Sequence, residues 1–174
     1  VYARWMQFGA FSPLMRVHGS GDNNPSAFGE VGAKTFQIHY WLRENLLDYI
    51  YSRSLEANKT GNPMMKSLAV AYNNDSRLAG IDDEYIFCDD FLVCPVLIEN
   101  ARSREVVLPE GTWCNLWDGS VIEGGQTVTA DAPITYSPVY LRSGAIIPVT
   151  LAADTLELTD SMQDKTTVQG LAVT

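Results

Sequence analysis

The sequence is poor in charge, above all positive charge, and in the residues from which metal centres and cysteine frameworks are built. Charged residues make up 19% of its 174 positions, with 12 Lys and Arg against 21 Asp and Glu, a net charge of −9. A surface with that balance repels phosphate, which excludes nucleic acid and anionic membrane as partners and leaves a neutral ligand as the expectation. No run of about 18 uncharged apolar residues occurs, so no helix is expected to span a bilayer. Cysteine is limited to Cys88, Cys94 and Cys114, without a CxxC pair, and histidine to His18 and His39. That is too little at metal spacing for a zinc centre, and no metal or other cofactor is expected. An odd number of thiols with no pairing pattern is expected to stay free, which suits a reducing compartment such as the cytoplasm. The nucleophile elbow GxSxG, the phosphate-binding glycine run and HExxH are missing as well. The opening VYARWMQFGA has neither an initiator Met nor the layout of a signal peptide, and it reads as if cut from a longer chain.

What is present is a core. Hydrophobic residues reach 46%, enough for a globular unit, and the pattern changes about a third of the way along. Residues 2–10 read as the tail of a helix and FSPLMRVH (11–18) as a short strand, followed by the turn-rich loop GSGDNNPSAFGE. From Val31 to Asn58, Phe36, Tyr40, Leu47, Ile50 and Leu55 recur at helical intervals, and Thr60-Gly61-Asn62-Pro63 is a helix stop. Beyond Pro63, short apolar runs at 64–72, 91–98, 104–108, 112–117, 126–130, 138–142 and 145–149 alternate with turn signals. Strands of that length and spacing predict an antiparallel sandwich, with one helical turn at 81–87. A complete (β/α)8 barrel takes about 250 residues, so the helix–strand–helix part can be no more than a piece of one.

His18 is the sharpest candidate for chemistry. It ends the apolar run from Phe11, two residues after Arg16 and just before the glycine-rich loop. At the carboxyl end of a strand, both would point to one side and could grip hydroxyl groups; a histidine bonded to a neighbouring carbonyl explains the position equally well. Asp22 in the loop reads as a turn former or a ligand contact, the turn being the simpler. Cleaving a sugar linkage takes two carboxylates, but Asp82-Asp83-Glu84 and Asp89-Asp90 read as caps or solvated faces. Trp5, Trp41, Trp113 and Trp117 could stack on a sugar ring, although their apolar surroundings favour the core.

Taken together, these segments form ordered blocks. RWMQFGAFSPLMRVHG (4–19) resembles the block that closes the catalytic barrel of glycoside hydrolase family 31. Asn62-Pro63-Met64-Met65, with Gly61 ahead, resembles the family's G-x-P-[VM]-M-[RK] strand. CDDFLVCPV (88–96) is similar to its GD-x-LLVAPV, with Cys88 in place of glycine and Cys94 of alanine. LPEGTW (108–113) and APITYSPVYLRSGAIIP (132–148) resemble its sandwich motifs. One block departs: IHYWLRENLLDYIY (38–51) carries Asp48 where the family commonly has proline, which predicts a straighter helix there.

The resemblance implies the last α/β units of a (β/α)8 TIM barrel at 1–60, a proximal C-terminal β-sandwich at 61–150, and the start of a distal β-domain or a linker at 151–174. It implies a parent that is a retaining α-glycosidase, α-glucosidase- or α-xylosidase-like, acting on an α-linked oligosaccharide or glycoside. The partner of this chain is then the remainder of the catalytic barrel. The family's two catalytic Asp residues precede the block at 4–19, so the chain is expected to lack both and to be inactive alone. His18 matches the histidine of the family's R-x-H motif, a ligand of the sugar hydroxyls, with Arg16 its arginine supporting the same substrate-binding strand end. The competing reading is a non-catalytic carbohydrate-binding or structural sandwich, for which an R-x-H block has no use. Without the barrel sheet to cover, residues 1–58 are expected to lose their packing while 64–149 keeps its own core.

Overall fold

The computed structural model describes residues 1–150 and 168–172. The chain opens with α1 (Tyr2–Ala10), a 3-10 turn (Pro25–Phe28), α2 (Gly29–Asn45) and α3 (Leu47–Thr60). Then follow β1 (Met65–Ser67), α4 (Leu68–Ala71), a 3-10 turn (Ser76–Leu78), β2 (Tyr85–Phe87), β3 (Phe91–Val93) and β4 (Ser103–Leu108). The last elements are β5 (Thr112–Asn115), β6 (Val121–Glu123), β7 (Gln126–Asp131), β8 (Val139–Arg142), β9 (Ile146–Thr150) and β10 (Val168–Ala172). A six-stranded sheet in the order β1-β2-β3-β8-β5-β6 is antiparallel throughout, β4 and β7 make a separate ribbon, and β9 pairs with β10. The expected distal segment at 151–174 lies outside the described residues except for β10. No described helix is long and apolar enough to cross a membrane.

The central strands are buried on both faces, and their period of two sorts the side chains into two cores. Tyr85, Phe87, Phe91, Val93, Val139 and Leu141 face the helices and pack with Ala10, Phe11, Leu46, Tyr49 and Ile50. Ile86, Leu92 and Tyr140 face the ribbon side and pack with Leu68, Val106, Leu108 and Trp113. The result is a layer of helices, a sheet and a ribbon. Trp113 is fully buried, its indole N–H donating to the Pro109 carbonyl at 2.9 Å, as expected of a core residue. Trp5 is not in the core; it is 59% exposed.

The helical third departs from expectation in an informative way. It does not stand bare, because Leu46, Tyr49 and Ile50 lie on the antiparallel sheet and share its core. Polar clamps reinforce the contact. Arg4 donates to the carbonyls of Ala101, Ala132, Pro133 and Tyr136 at 2.8–3.0 Å, and Gln7 to that of Ile134 at 2.8 Å. The outer face is still open, with Trp5, Leu14, Leu47, Tyr51 and Leu55 exposed. The buried stripe of α2 is Gly32, Thr35 and His39 rather than Phe36 and Tyr40, which stack on each other at 5.6 Å. Position 32 has no room for a side chain: a Cβ on Gly32 would lie 2.7 Å from Phe28 Cβ. The straight helix expected across Asp48 is instead interrupted at Leu46 (φ −88°, ψ 1°). Its end is as expected, with Gly61 in the left-handed conformation at φ 76°.

Three local expectations are corrected. Residues 11–17 form no strand, since a strand needs a neighbour to take its amide bonds and no described strand pairs with them. The run at 64–72 is a strand only to Ser67 before turning into α4, and 81–87 ends in β2 rather than a helical turn. At the β2–β3 connection, Cys88 (φ 52°) and Asp89 (φ 68°) both take left-handed backbone. Glycine adopts that conformation freely, which accounts for the glycine in the motif that CDDFLVCPV resembles. Cys88, Cys94 and Cys114 are unpaired.

Candidate functional site

The segment that carries Arg16 and His18 begins where α1 ends. Phe11 closes the helix and is fully buried, its ring 5.6 Å from that of Phe91 and 6.4 Å from that of Phe87. The Tyr85 hydroxyl donates to the Phe11 carbonyl at 3.1 Å, and Ser12 Oγ donates back to the Phe8 carbonyl at 3.0 Å. From Pro13 the chain rises to the surface. Met15 folds back against Gly9, where a Cβ would meet Met15 Cγ at 3.3 Å, while Arg16, Val17 and His18 are exposed. The two candidate donors are thus on one open stretch, two residues apart, with their side chains in solvent.

The loop that follows is built from its own polar groups. Asn23 Nδ2 donates to the Gly19 carbonyl at 3.0 Å, and Asp22 Oδ1 accepts the Asn24 amide at 2.9 Å. Asn24 in turn caps the 3-10 turn by accepting the Ser26 amide. Asp22 is therefore a turn former.

The acidic clusters are solvated only in part: Asp82 is exposed and Asp83 and Asp89 half-exposed, but Glu84 and Asp90 are buried, which corrects the expectation for those two. Asp90 is 2% exposed. Its Oδ2 accepts from the Tyr49 hydroxyl at 2.6 Å and Arg53 at 2.7 Å, and its Oδ1 accepts from Arg142 at 3.0 Å. Burial alone raises a carboxyl pKa, but these three donors hold Asp90 below the usual carboxylate range. The same environment raises the Tyr49 phenol, through burial first and then the Asp90 charge. Asp89 turns the other way, to Lys66 at 2.5 Å. Glu84 is buried against Arg104 at 3.1 Å and accepts the Val107 amide at 2.9 Å. Burial pushes its carboxyl up to about 7, against the pull of that amide and of Arg104. Asp83 also pairs with Arg104, at 2.9 Å. These acids join helix to sheet and sheet to ribbon, and none lies on the Arg16–His18 stretch.

The sequence does not single out Tyr49 and Arg53, although they are four residues apart and so share a helix face. Nor does it single out Arg43, because the acceptors of that side chain lie 30–34 residues away. Among the described residues no group of three or more His, Cys, Asp or Glu could hold a metal ion. A small cleft between the end of α3 and the β2–β3 turn is lined by Arg53, Thr60, Met64, Cys88 and Asp89, and it does not include Arg16 or His18.

Residues 1–53 match the family model described as the TIM-barrel domain of the family 31 glycosyl hydrolases, and residues 61–147 that of the family's C-terminal domain. A 1,6-alpha-glucosyltransferase of Sporosarcina globispora is 33% identical over 159 residues, covering 88% of this chain and 12% of that protein. Alpha-glucosidase 2 of Bacillus thermoamyloliquefaciens is 33% identical over 147 residues, covering 83% of this chain and 19% of that protein. In structure, the chain is similar to the cycloalternan-forming enzyme of Listeria monocytogenes solved with a pentasaccharide substrate. The TM-score is 0.82 and the identity 34%, over 86% of this chain and 15% of that one. The chain thus spans between 12% and 19% of these relatives' length.

Proposed function

The chain belongs to glycoside hydrolase family 31, and from that premise we propose that it works within a longer retaining α-glycosidase that cleaves or transfers an α-linked glycosyl unit. In this reading residues 1–60 close the catalytic barrel, 61–150 are the proximal sandwich, and 151–174 lead into a distal β-domain or linker. The exposed side chains of Trp5, Leu14, Leu47, Tyr51 and Leu55 are covered by the remainder of the barrel. One observation carries the reading: Arg16 and His18 stand open to solvent on one short stretch inside the region that matches the barrel. An imidazole there donates or accepts a hydrogen bond from a sugar hydroxyl, and Arg16 supports the same rim. Names among the relatives include a transferase and a hydrolase, and both chemistries move an α-glycosyl group.

Two results follow. Retention needs two carboxyl groups about 5 Å apart across the glycosidic bond, and the buried acids here are occupied by arginines. The isolated 174-residue chain should therefore show no turnover of aryl α-glucosides or α-xylosides; activity that co-purifies and scales with its concentration would refute this. In the full-length protein, His18→Ala should lower kcat/KM roughly thirty- to a hundredfold, a loss of about 2–3 kcal/mol for a hydrogen bond that tightens in the transition state. Wild-type kinetics in that variant would remove His18 from the site.

A further inference from the structure

The stretch bearing His18 is aimed by a side chain from another element. Arg43, in the last turn of α2, lays its guanidinium across the exit of α1. Its Nη1 donates to the carbonyls of Gly9 at 3.4 Å, Ala10 at 3.0 Å and Ser12 at 2.6 Å, and its Nη2 to that of Pro13 at 3.0 Å. The first two acceptors are carbonyls at the end of a helix, where a cation is a favourable cap. The last two lie beyond the helix, and capping does not require them. Holding both sets from one rigid, planar fork fixes the direction in which the chain leaves α1. With the Phe11 carbonyl held by Tyr85 and Met15 tucked under Gly9, the path is determined up to the residue before Arg16.

We propose that Arg43 is a positioning residue for His18: it acts on the sugar only by setting where the imidazole stands. The inference rests on the reading of His18 as a sugar ligand. Lysine at position 43 would keep the positive charge at the end of α1, but a point donor cannot span carbonyls on both sides of the turn.

The test is a double-mutant cycle in the full-length enzyme, with thermal melting recorded alongside the kinetics. Arg43→Gln should lower kcat/KM about tenfold to a hundredfold, with the same division between kcat and KM as His18→Ala. In the His18→Ala background, the same change should have almost no further effect. Arg43→Lys should recover most of the melting temperature and little of the activity, and it carries the cycle if Arg43→Gln does not fold. Losses that multiply in the two backgrounds, or an Arg43→Lys variant that regains activity together with stability, would reduce Arg43 to a structural cap and overturn the proposal. If His18→Ala itself is without effect, the underlying reading fails, and the positioning role fails with it. The two failures are told apart by that single variant.

Discussion

Replacing Asp90 with alanine should cost the fold about 3–5 kcal/mol, the size expected when one partner of a buried ion pair is removed and the others stay. Its carboxylate receives the Tyr49 hydroxyl, Arg53 and Arg142, and its backbone carbonyl accepts the Arg142 amide at 2.9 Å. The variant would leave a phenol and two guanidiniums facing an empty pocket between α3 and the neighbouring ends of β3 and β8. Arg142 is 52% exposed and can turn to water, whereas Tyr49 is buried and keeps only the Cys88 carbonyl, at 2.5 Å, as an acceptor. The loss should therefore fall mainly on the helix–sheet contact. Asp90→Asn keeps the shape and one acceptor, and should cost less than Asp90→Ala. Urea unfolding of the three proteins decides the matter; an Asp90→Ala midpoint close to wild type would mean that the cluster is not an anchor. Because the folded carboxyl titrates below the ordinary range, its contribution is present above the unfolded pKa of about 3.9 and is lost as pH falls through the folded value.

The second large effect is a pH dependence hidden in the wild type and exposed by single substitutions. His39 is completely buried; its Nδ1 donates to the Thr35 carbonyl at 2.9 Å and its Nε2 meets no partner among the described residues. Burial lowers its pKa to about 4, against the weaker opposite pull of the Thr35 carbonyl. The unfolded chain takes up this proton near pH 6.5 and the folded chain only near 4, so His39 stabilises the fold above 6.5 and loses that contribution as pH falls through 4. The difference is worth about 3 kcal/mol. Glu84 works in the opposite sense. Its folded pKa of about 7 lies above the unfolded value, so its contribution is complete below about 4.3 and is lost as pH rises through 7. The two nearly cancel between pH 4.5 and 6.5. His39→Gln should therefore be more stable at pH 5 than at pH 7.5 by about 2.5 kcal/mol, and Glu84→Gln less stable at pH 5 than at pH 7.5 by about 2 kcal/mol. Chemical denaturation at the two pH values measures both; a His39→Gln protein with the wild-type pH profile would contradict the assignment.

Read in order, the residues determined what depends on neighbours along the chain. Gly61 ends α3 because only short-range geometry is involved, and the apolar run at 91–98 opens with the strand Phe91–Val93, whereas the three apolar residues Tyr85–Phe87 are too short a run to tell a strand from a helical turn. The ordered blocks from RWMQFGAFSPLMRVHG to APITYSPVYLRSGAIIP carry the family. Tertiary structure alone decided which acids are buried, since Asp89 and Asp90 are adjacent and equivalent by composition, yet one meets Lys66 and the other two arginines and a tyrosine. It also decided which stripe of α2 faces inward, because Phe28 and Tyr2 of α1 come close enough at Gly32 to leave no room for a side chain there. It decided that the run from Phe11 to Val17 is not a strand, since a strand exists only with a partner for its amides. Arg43 belongs to the same class. Its charge and its place near a helix end are written in the sequence, but its acceptors come from a segment 30–34 residues distant, and only folding brings a donor that far along the chain to the carbonyls it holds.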